Sequence, residues 1–324
     1  MAVERDEFIR QMRCGAWNQE VVESEFLGDA PTMLPVSERR MLHWIAREMS
    51  LTSDATIVDA GCFLGGSTLA LATGLAKNNS VTSKAQRIRT YDIFLAPRDQ
   101  FSLEMINHGR APGDSVRDLF DKYLLNYRDM VSVHEGDFIV ADPPKPSIDI
   151  LFVDITKTWG LNDIIIKRFF PKLIPGKSIL LQQDYNDHSC PWVNLTMEYF
   201  AEFFEVVADD IATRAYFFKS AIPENMIRRS LKTELSYDEK LSLMYSAISN
   251  SGNPRTEFFN AVTTAWIIFE EQGAGPAVAY LEHIGTELPE PWPSQYKNMV
   301  IGAMGYLGDV RGLTSYHDNF FVPR

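Results

Sequence analysis

Ile57-Val58-Asp59-Ala60-Gly61-Cys62-Phe63-Leu64-Gly65-Gly66-Ser67-Thr68 reads as a short apolar strand running straight into a glycine turn. A helix over residues 69–75 opens directly after it. A strand this apolar is expected to be buried on both faces in a parallel sheet. Gly61, Gly65 and Gly66 lack side chains, which lets a ligand approach the backbone and permits φ values that other residues resist. The free N–H groups and dipole of a helix start favour an electron-rich ligand. The stretch therefore predicts an α/β domain with a small-molecule site at this turn.

Spacing separates the cofactor turns that look alike. A dinucleotide fingerprint needs Gly-x-Gly-x-x-Gly, whereas here the order is Gly-x-x-x-Gly-Gly. A P-loop needs Gly-x-x-x-x-Gly-Lys-Ser/Thr. Gly61 and Gly66 have that spacing and Ser67-Thr68 follow, but no lysine precedes them. Without that cation the β- and γ-phosphates lose their main partner, which disfavours an NTPase.

The following segments repeat one theme. Arg89-Thr90-Tyr91-Asp92 is a second strand closing on an acid, a carboxylate able to accept two hydrogen bonds from a ribose diol. Val131 to His134 leads into Gly136-Asp137-Phe138, and Ile148 to Val153 closes on Asp154. A helix is expected over 161–170, Pro175-Gly176 leads into a fifth strand over 178–181, and strands over 204–208 and 215–219 have the spacing of a hairpin. Asp59, Asp92, Asp137 and Asp154 thus recur at the carboxyl ends of successive strands, where doubly wound sheets bind ligands.

Asp59-x-Gly61-x-x-x-Gly65-x-Ser67 resembles the first motif of class I S-adenosylmethionine-dependent methyltransferases, and the resemblance covers roughly residues 35–220. It implies a doubly wound, seven-stranded, mostly parallel Rossmann-like sheet whose last two strands form an antiparallel end. It implies S-adenosyl-L-methionine as cofactor, held at its methionine end by Asp59, Gly61, Phe63, Gly65, Gly66 and Ser67. Asp92 would take the ribose, Asp137 and Phe138 would frame the adenine, and Asp154 would join the cofactor-binding set.

Leu151-Phe152-Val153-Asp154-Ile155-Thr156-Lys157 narrows the resemblance to the small-molecule O-methyltransferases, of the caffeoyl-CoA and catechol type and of the macrocin type. In the former, an acid at the place of Asp154 binds a divalent metal, and Lys157 matches a lysine that acts as base. Transfer of a methyl from a sulfonium to oxygen needs positioning and removal of the hydroxyl proton by a base or a metal. A lysine serves as base only where burial or a cationic neighbour lowers its pKa.

Metal-dependent members end the fifth strand with Asp-Asp or Asp-Asn. Here the stretch is Leu180-Leu181-Gln182-Gln183-Asp184-Tyr185. Counted without a gap, two glutamines take the metal positions; with a one-residue slip, Gln183-Asp184-Tyr185 matches the Asp-Asp-Tyr of the macrocin type. Either way the site loses carboxylate charge, and Mg²⁺ prefers carboxylates and water. No metal is expected, although Mg²⁺ stays open as an alternative. His188, in the loop Asn186-Asp187-His188, is an alternative general base that Asp184 or Asp187 would orient. The expected catalytic set is therefore Lys157, Asp184 and His188. A Gln-Gln-Asp-Tyr stretch, a Pro-Trp soon after it and a Gly-Asp-Ser like Gly113-Asp114-Ser115 are shared with other methyltransferases of this kind.

The connection over 93–130 is longer than a crossover requires, and its Arg98, His108 and Arg110 are candidates to meet a polar acceptor. Phe8, Ile9, Met12 and Trp17 form an apolar stripe near the start. A second helix, expected to be capped by Ser37 and to run through Met49, buries Met41, Leu42, Trp44, Ile45 and Met49. After Pro223 the pattern is helical only, with segments over 241–248, 257–271 and 276–284 and a breaker at Pro289-Glu290-Pro291-Trp292-Pro293. The expected organisation is N-terminal helices over 1–50, a cofactor-binding domain over 51–222 and a helical extension over 223–324.

Composition agrees. The 324 residues are 45% hydrophobic, ample for a core, and no run approaches a membrane span. A net charge of −12 argues against a nucleic-acid substrate. Cys14, Cys62 and Cys190 show no paired spacing, and the charged start lacks the apolar region of a signal peptide; together these point to the cytoplasm. The expected partner is a small-molecule acceptor, with no nucleic acid or membrane involved and a homodimer possible. The leading expectation is methylation of a hydroxyl on a sugar or natural product. Two alternatives differ in class: a protein of this fold that binds a nucleoside or nucleotide-sugar for another reaction, and a non-catalytic partner protein.

Overall fold

A computed structural model of the chain describes residues 5–19, 30–54, 56–98, 100–106, 109–287 and 302–303. His108 and the breaker at 289–293 lie outside these described residues. In chain order the elements are α1 (Arg5–Arg13), α2 (Val36–Glu48), β1 (Thr56–Ala60), α3 (Gly66–Lys77), β2 (Ile88–Asp92), α4 (Gln100–Ile106), α5 (Arg117–Tyr123), β3 (Val131–Glu135) and β4 (Ile148–Val153). Then come α6 (Trp159–Ile164), β5 (Ile179–Gln182), α7 (Pro191–Tyr199), β6 (Phe204–Asp209), β7 (Arg214–Phe218), α8 (Glu224–Arg228), α9 (Leu231–Glu234), α10 (Tyr237–Ser249), α11 (Pro254–Gln272) and α12 (Ala274–Glu287).

The strands form one seven-stranded sheet in the order β3-β2-β1-β4-β5-β7-β6. Pairs β1–β2, β1–β4, β2–β3 and β4–β5 are parallel, while β7 is antiparallel to both β5 and β6. This is the mostly parallel, Rossmann-like sheet that the motifs predict. From β1 the chain steps outward to β2 and β3, then returns to β4 on the other side. The topological switch point, where such sheets bind ligands, therefore lies between β1 and β4. Every residue of β1 and β4 is buried, and each large aliphatic side chain so buried contributes roughly 1.5–3 kcal/mol.

The chain divides into two compact units. The first comprises the described chain up to Thr156 together with Gly160–Gln183 and Glu202–Arg228, and holds the whole sheet. Its cores join α1, α2 and α3 to the sheet through Phe8, Met12, Trp44, Ile45 and Leu71, and join the 93–130 connection through Phe94, Phe120 and Leu124. The second comprises Lys157–Trp159, Asp184–Ala201 and the chain from Arg229 onward. Its core is formed by Phe258, Val262, Ala265, Trp266 and Leu281. Ser236 and Glu239 close a reciprocal capping box on α10, and Asn253 with Pro254 starts α11.

Two local expectations are corrected. Ser37 is not a cap: α2 starts one residue earlier, after Pro35, and no side chain caps it. Proline has a fixed φ and no N–H, so it sets the break itself. The helix expected over 161–170 is interrupted: after α6 a π turn spans Ile165–Phe169, and a 3₁₀ turn with Pro171 ends the run. Among the described residues, no helix is long and apolar enough to cross a membrane.

Glu38, in the first turn of α2, is buried at 1% exposure. Its Oε1 accepts from the N–H groups of Ala212 and Thr213 in the β6–β7 turn, at 2.5 and 2.9 Å. Burial pushes its carboxyl up to about 7, with Asp210 adding to the rise and the two backbone donors opposing it. The fold therefore favours neutral Glu38. Its stabilisation is complete at low pH and is lost as pH rises from 4.5 through about 7. Urea unfolding of the wild type and E38Q between pH 4 and pH 8 should differ in slope over this window. The wild type should lose on the order of 3 kcal/mol that the variant retains.

Candidate functional site

The turn after β1 is shaped by two carboxylates, one on β1 and one at the end of β2. Asp59 is fully buried on β1. Its Oδ2 accepts from Ser67 Oγ at 2.9 Å and from Thr68 Oγ1 at 2.6 Å, and its Oδ1 lies 3.1 Å from the same serine. Burial pushes this carboxyl up to about 6, against the pull of the two hydroxyls. Asp59 thus ties the strand to the first turn of α3 and holds the loop between them.

Asp92, at the end of β2, works from outside the turn. Its Oδ2 accepts from the N–H of Phe63 and its Oδ1 from that of Phe94, each at 2.8 Å. Burial raises its carboxyl despite these donors. Both phenylalanines have positive φ, 47° and 52°, a conformation uncommon outside glycine. The carboxylate clamps two strained segments. The N–H groups of Ile93 and Cys62 also bear on it, so four backbone donors converge on this carboxylate.

The glycines do not leave open space. Gly61 has φ +93°, and a Cβ built there would overlap the Asp154 carbonyl oxygen. Gly65 has φ +92°, and a Cβ there would overlap Leu124 and Phe120; one on Gly66 would overlap Thr32. In the direction of a side chain, all three positions are thus filled by this chain itself. Gly61 N–H donates to Tyr91 O at 2.9 Å and Asp154 N–H to Ala60 O at 2.7 Å, so β1, β2 and β4 converge on this one point.

After β3, Asp137 is exposed, and its Oδ1 accepts from Ile139 N–H at 2.9 Å, capping a 3₁₀ turn. Phe138 is a core ring at 3% exposure. It is stacked on Phe169 at 5.1 Å with Tyr91 against its edge, so a face expected to wall a ligand has a packing partner already. Asp154 is partly buried after β4. The register Val153↔Gln182, together with the Gln183 N–H to Val153 O bond at 3.0 Å, sets Gln183 level with Asp154. Gln183 hydrogen-bonds through Oε1 to the Thr213 hydroxyl.

The other expected residues lie in the second unit. Asp184 has φ +64° and forms an ion pair with Lys157. Burial raises its carboxyl and Asp187 adds to that, while the lysine opposes it. Asp187 goes the other way: burial raises its carboxyl, but His188 and the Ser189 N–H and hydroxyl outweigh that and bring it to about 2. His188 Nδ1 lies 3.4 Å from Asp187 Oδ1, and its ring stacks on Trp266 at 5.0 Å and 24°. Trp159 packs against Trp192 at 5.8 Å, and its Nε1–H reaches both Glu270 oxygens at 3.1 Å. The structure thus joins Lys157 to Asp184 and His188 to Asp187. Thr68 could have been read beside Ser67, but Trp266 lies on α11 and no local signal links it to His188.

These donors do not suit a divalent metal. Gln183 is spent on Thr213 and Asp184 on a lysine. Among the described residues no group of three or more His, Cys, Asp and Glu is placed to hold one.

No family model matches the chain, and no curated protein matches it. Among solved structures it is similar to the O-methyltransferase NovP, at 14% identity over 67% of this chain and 100% of that one, with a TM-score of 0.44. It is also similar to an O-methyltransferase from Bacillus cereus in complex with SAH, at 12% identity over 68% and 92% of the two chains, TM-score 0.39. Haemonchus contortus phosphoethanolamine N-methyltransferase 1 is similar at 9% identity over 77% and 57%, TM-score 0.37. None of these likenesses assigns a residue here, and the fold rests on the strand order.

G61A tests the convergence of β1, β2 and β4. The new methyl meets backbone, which cannot swing away, and the position requires positive φ. Thermal unfolding should show a loss of roughly 3 kcal/mol, whereas G113A, at a glycine with open space around it, should cost less.

Proposed function

We propose that this chain is an S-adenosylmethionine-dependent methyltransferase that methylates a hydroxyl group of a small molecule such as a sugar or natural product. The observation that carries the reading is the Asp92 clamp, whose carboxylate fixes the turn after β1 through the Phe63 N–H and the chain after β2 through the Phe94 N–H. Its setting, at the carboxyl ends of the strands beside the switch point, is where sheets of this kind bind nucleosides. In this reading Asp59, Gly61, Phe63, Gly65, Gly66 and Ser67 hold the methionine end, by fixing the course of the turn rather than by leaving room. Asp92 receives the ribose hydroxyls, while Asp137 and Asp154 border the remainder.

The bound cofactor supplies an electrophilic methyl on a sulfonium. The chain's own part is to remove a proton. Held by these residues, the cofactor would supply its methyl to the acceptor oxygen once that oxygen's proton has been taken. The Lys157 amine is engaged by Asp184, which ties it to a partner rather than to an acceptor hydroxyl. His188 is the better base: Asp187, a carboxylate above about pH 2, faces Nδ1, leaving Nε2 to take the proton. Asp184 and Lys157 then act as a positioning pair. Gln183 and Asp184 are already engaged, so the reading invokes no metal.

Calorimetric titration of S-adenosylhomocysteine should show micromolar binding that is insensitive to a chelator. D92A should weaken it by about tenfold or more, the loss of a charge-assisted hydrogen bond to the diol. H188Q should bind equally well yet turn over roughly a hundredfold more slowly on a responsive acceptor. Retained binding of another nucleotide without binding of S-adenosylhomocysteine would favour a different reaction on the same fold.

A further inference from the structure

The two edges of the sheet are treated differently. At β6 the chain protects its own edge: α1 packs beside the strand, Arg13 pairs with Glu205, and the register shifts between Val206 and Ala208. A covering helix, an edge charge and a bulge are standard means of keeping a strand from pairing further. At the opposite edge, β3 pairs with β2 alone among the described residues. Its sequence, Val131-Ser132-Val133-His134-Glu135, has neither proline nor lysine to blunt it, and residues 131–134 are only partly buried; its one charge, Glu135, pairs with Arg117 at the strand's end. Beside it runs a groove of about 660 Å³ floored by Phe120, Leu124, Val131 and Val133.

The flanks of β3 carry the two most exposed large apolar side chains among the described residues, Leu125 at 67% and Val140 at 74%, with Ile139 at 51% next to the latter. Leu125 precedes the strand and Ile139-Val140 follow it. Exposed Arg128 and Asp129 also lie before the strand, and exposed Asp137 after it. The two ends therefore match one another apolar to apolar, and Arg128 has an anion to meet at the other end.

We propose that β3 is the seam of a two-fold homodimer, in which the β3 strands of two copies pair antiparallel, edge to edge. A two-fold axis normal to the sheet reverses the partner strand, so closure requires the antiparallel pairing. It brings the end with Leu125 and Arg128 against the partner end with Asp137, Ile139 and Val140, and makes each contact twice. Backbone hydrogen bonds along the strand supply direction, and the flanking apolar groups supply burial that a five-residue strand lacks by itself.

Sedimentation velocity of the full chain from about 1 to 100 µM should show a monomer–dimer equilibrium, since dissociation constants in that range correspond to about 6–8 kcal/mol. L125K and V140E, both at exposed positions, should each raise the dissociation constant by about tenfold or more by setting a charge against apolar side chains across the seam. The double variant should recover most of that loss, because the lysine of each copy meets the glutamate of the other. Amide exchange at residues 131–135 should slow as protein concentration rises. The proposal is overturned if the wild type stays monomeric, if the single variants dimerise as the wild type does, or if the double variant is weaker than either single one. Exchange that is equally slow at every concentration would mean that this chain covers its own edge, and would also overturn it.

Discussion

Asp154 and Gly61 meet backbone to backbone, and the fit leaves no room for even one methyl group. Much of the first unit depends on that contact. It sets how closely β4 can lie beside β1, and with the Gly61 to Tyr91 hydrogen bond it locks three parallel strands at their carboxyl ends. The turn that follows has its course fixed before any ligand arrives. Asp59 holds it from within through Ser67 and Thr68, and Asp92 holds it from outside through Phe63. Preorganisation of this kind lowers the ordering cost of binding.

Five aspartates in or after the strands have different surroundings. Asp59 is buried and engaged with hydroxyls, whereas Asp92 is held by backbone N–H groups. Asp137 caps a turn in the open. Asp184 is buried beside a lysine, and Asp187 is held ionised by a histidine. Burial raises a carboxyl, while a cation or N–H donors lower it. The balance of these effects assigns the roles; position at a strand end alone does not.

The sheet was readable because buried parallel strands are continuous apolar runs, and here acids punctuate their ends. Asp92, Asp154 and Asp184 were found in this way. Other features needed the third dimension. Gly61, Gly65 and Gly66 were recognisable as a turn, but the sequence could not distinguish room for a ligand from room for Asp154, Leu124 and Thr32. Glu38 looks like an ordinary first-turn acid that favours a helix start, and its burial against Thr213 depends on a hairpin far along the chain. Pro35 displaced the cap assigned to Ser37 because a local break outranks a hydroxyl. The partners of Lys157 and His188 became visible only when the loop after β5 and helix α11 were placed.

Asp184 combines two demands that few residue types satisfy together. Its backbone lies in the left-handed region, where glycine, asparagine and aspartate are at home and β-branched residues are not. Its side chain must also offer an anion to Lys157. Glycine would keep the path of the loop and discard the charge. Glutamate would keep the charge but fit the path poorly. Asparagine would keep the path and part of the hydrogen bonding while leaving a cation uncompensated. Sequence drift here is therefore channelled: the lysine and the loop can change only in step, and a chain that lost one would be expected to lose the other.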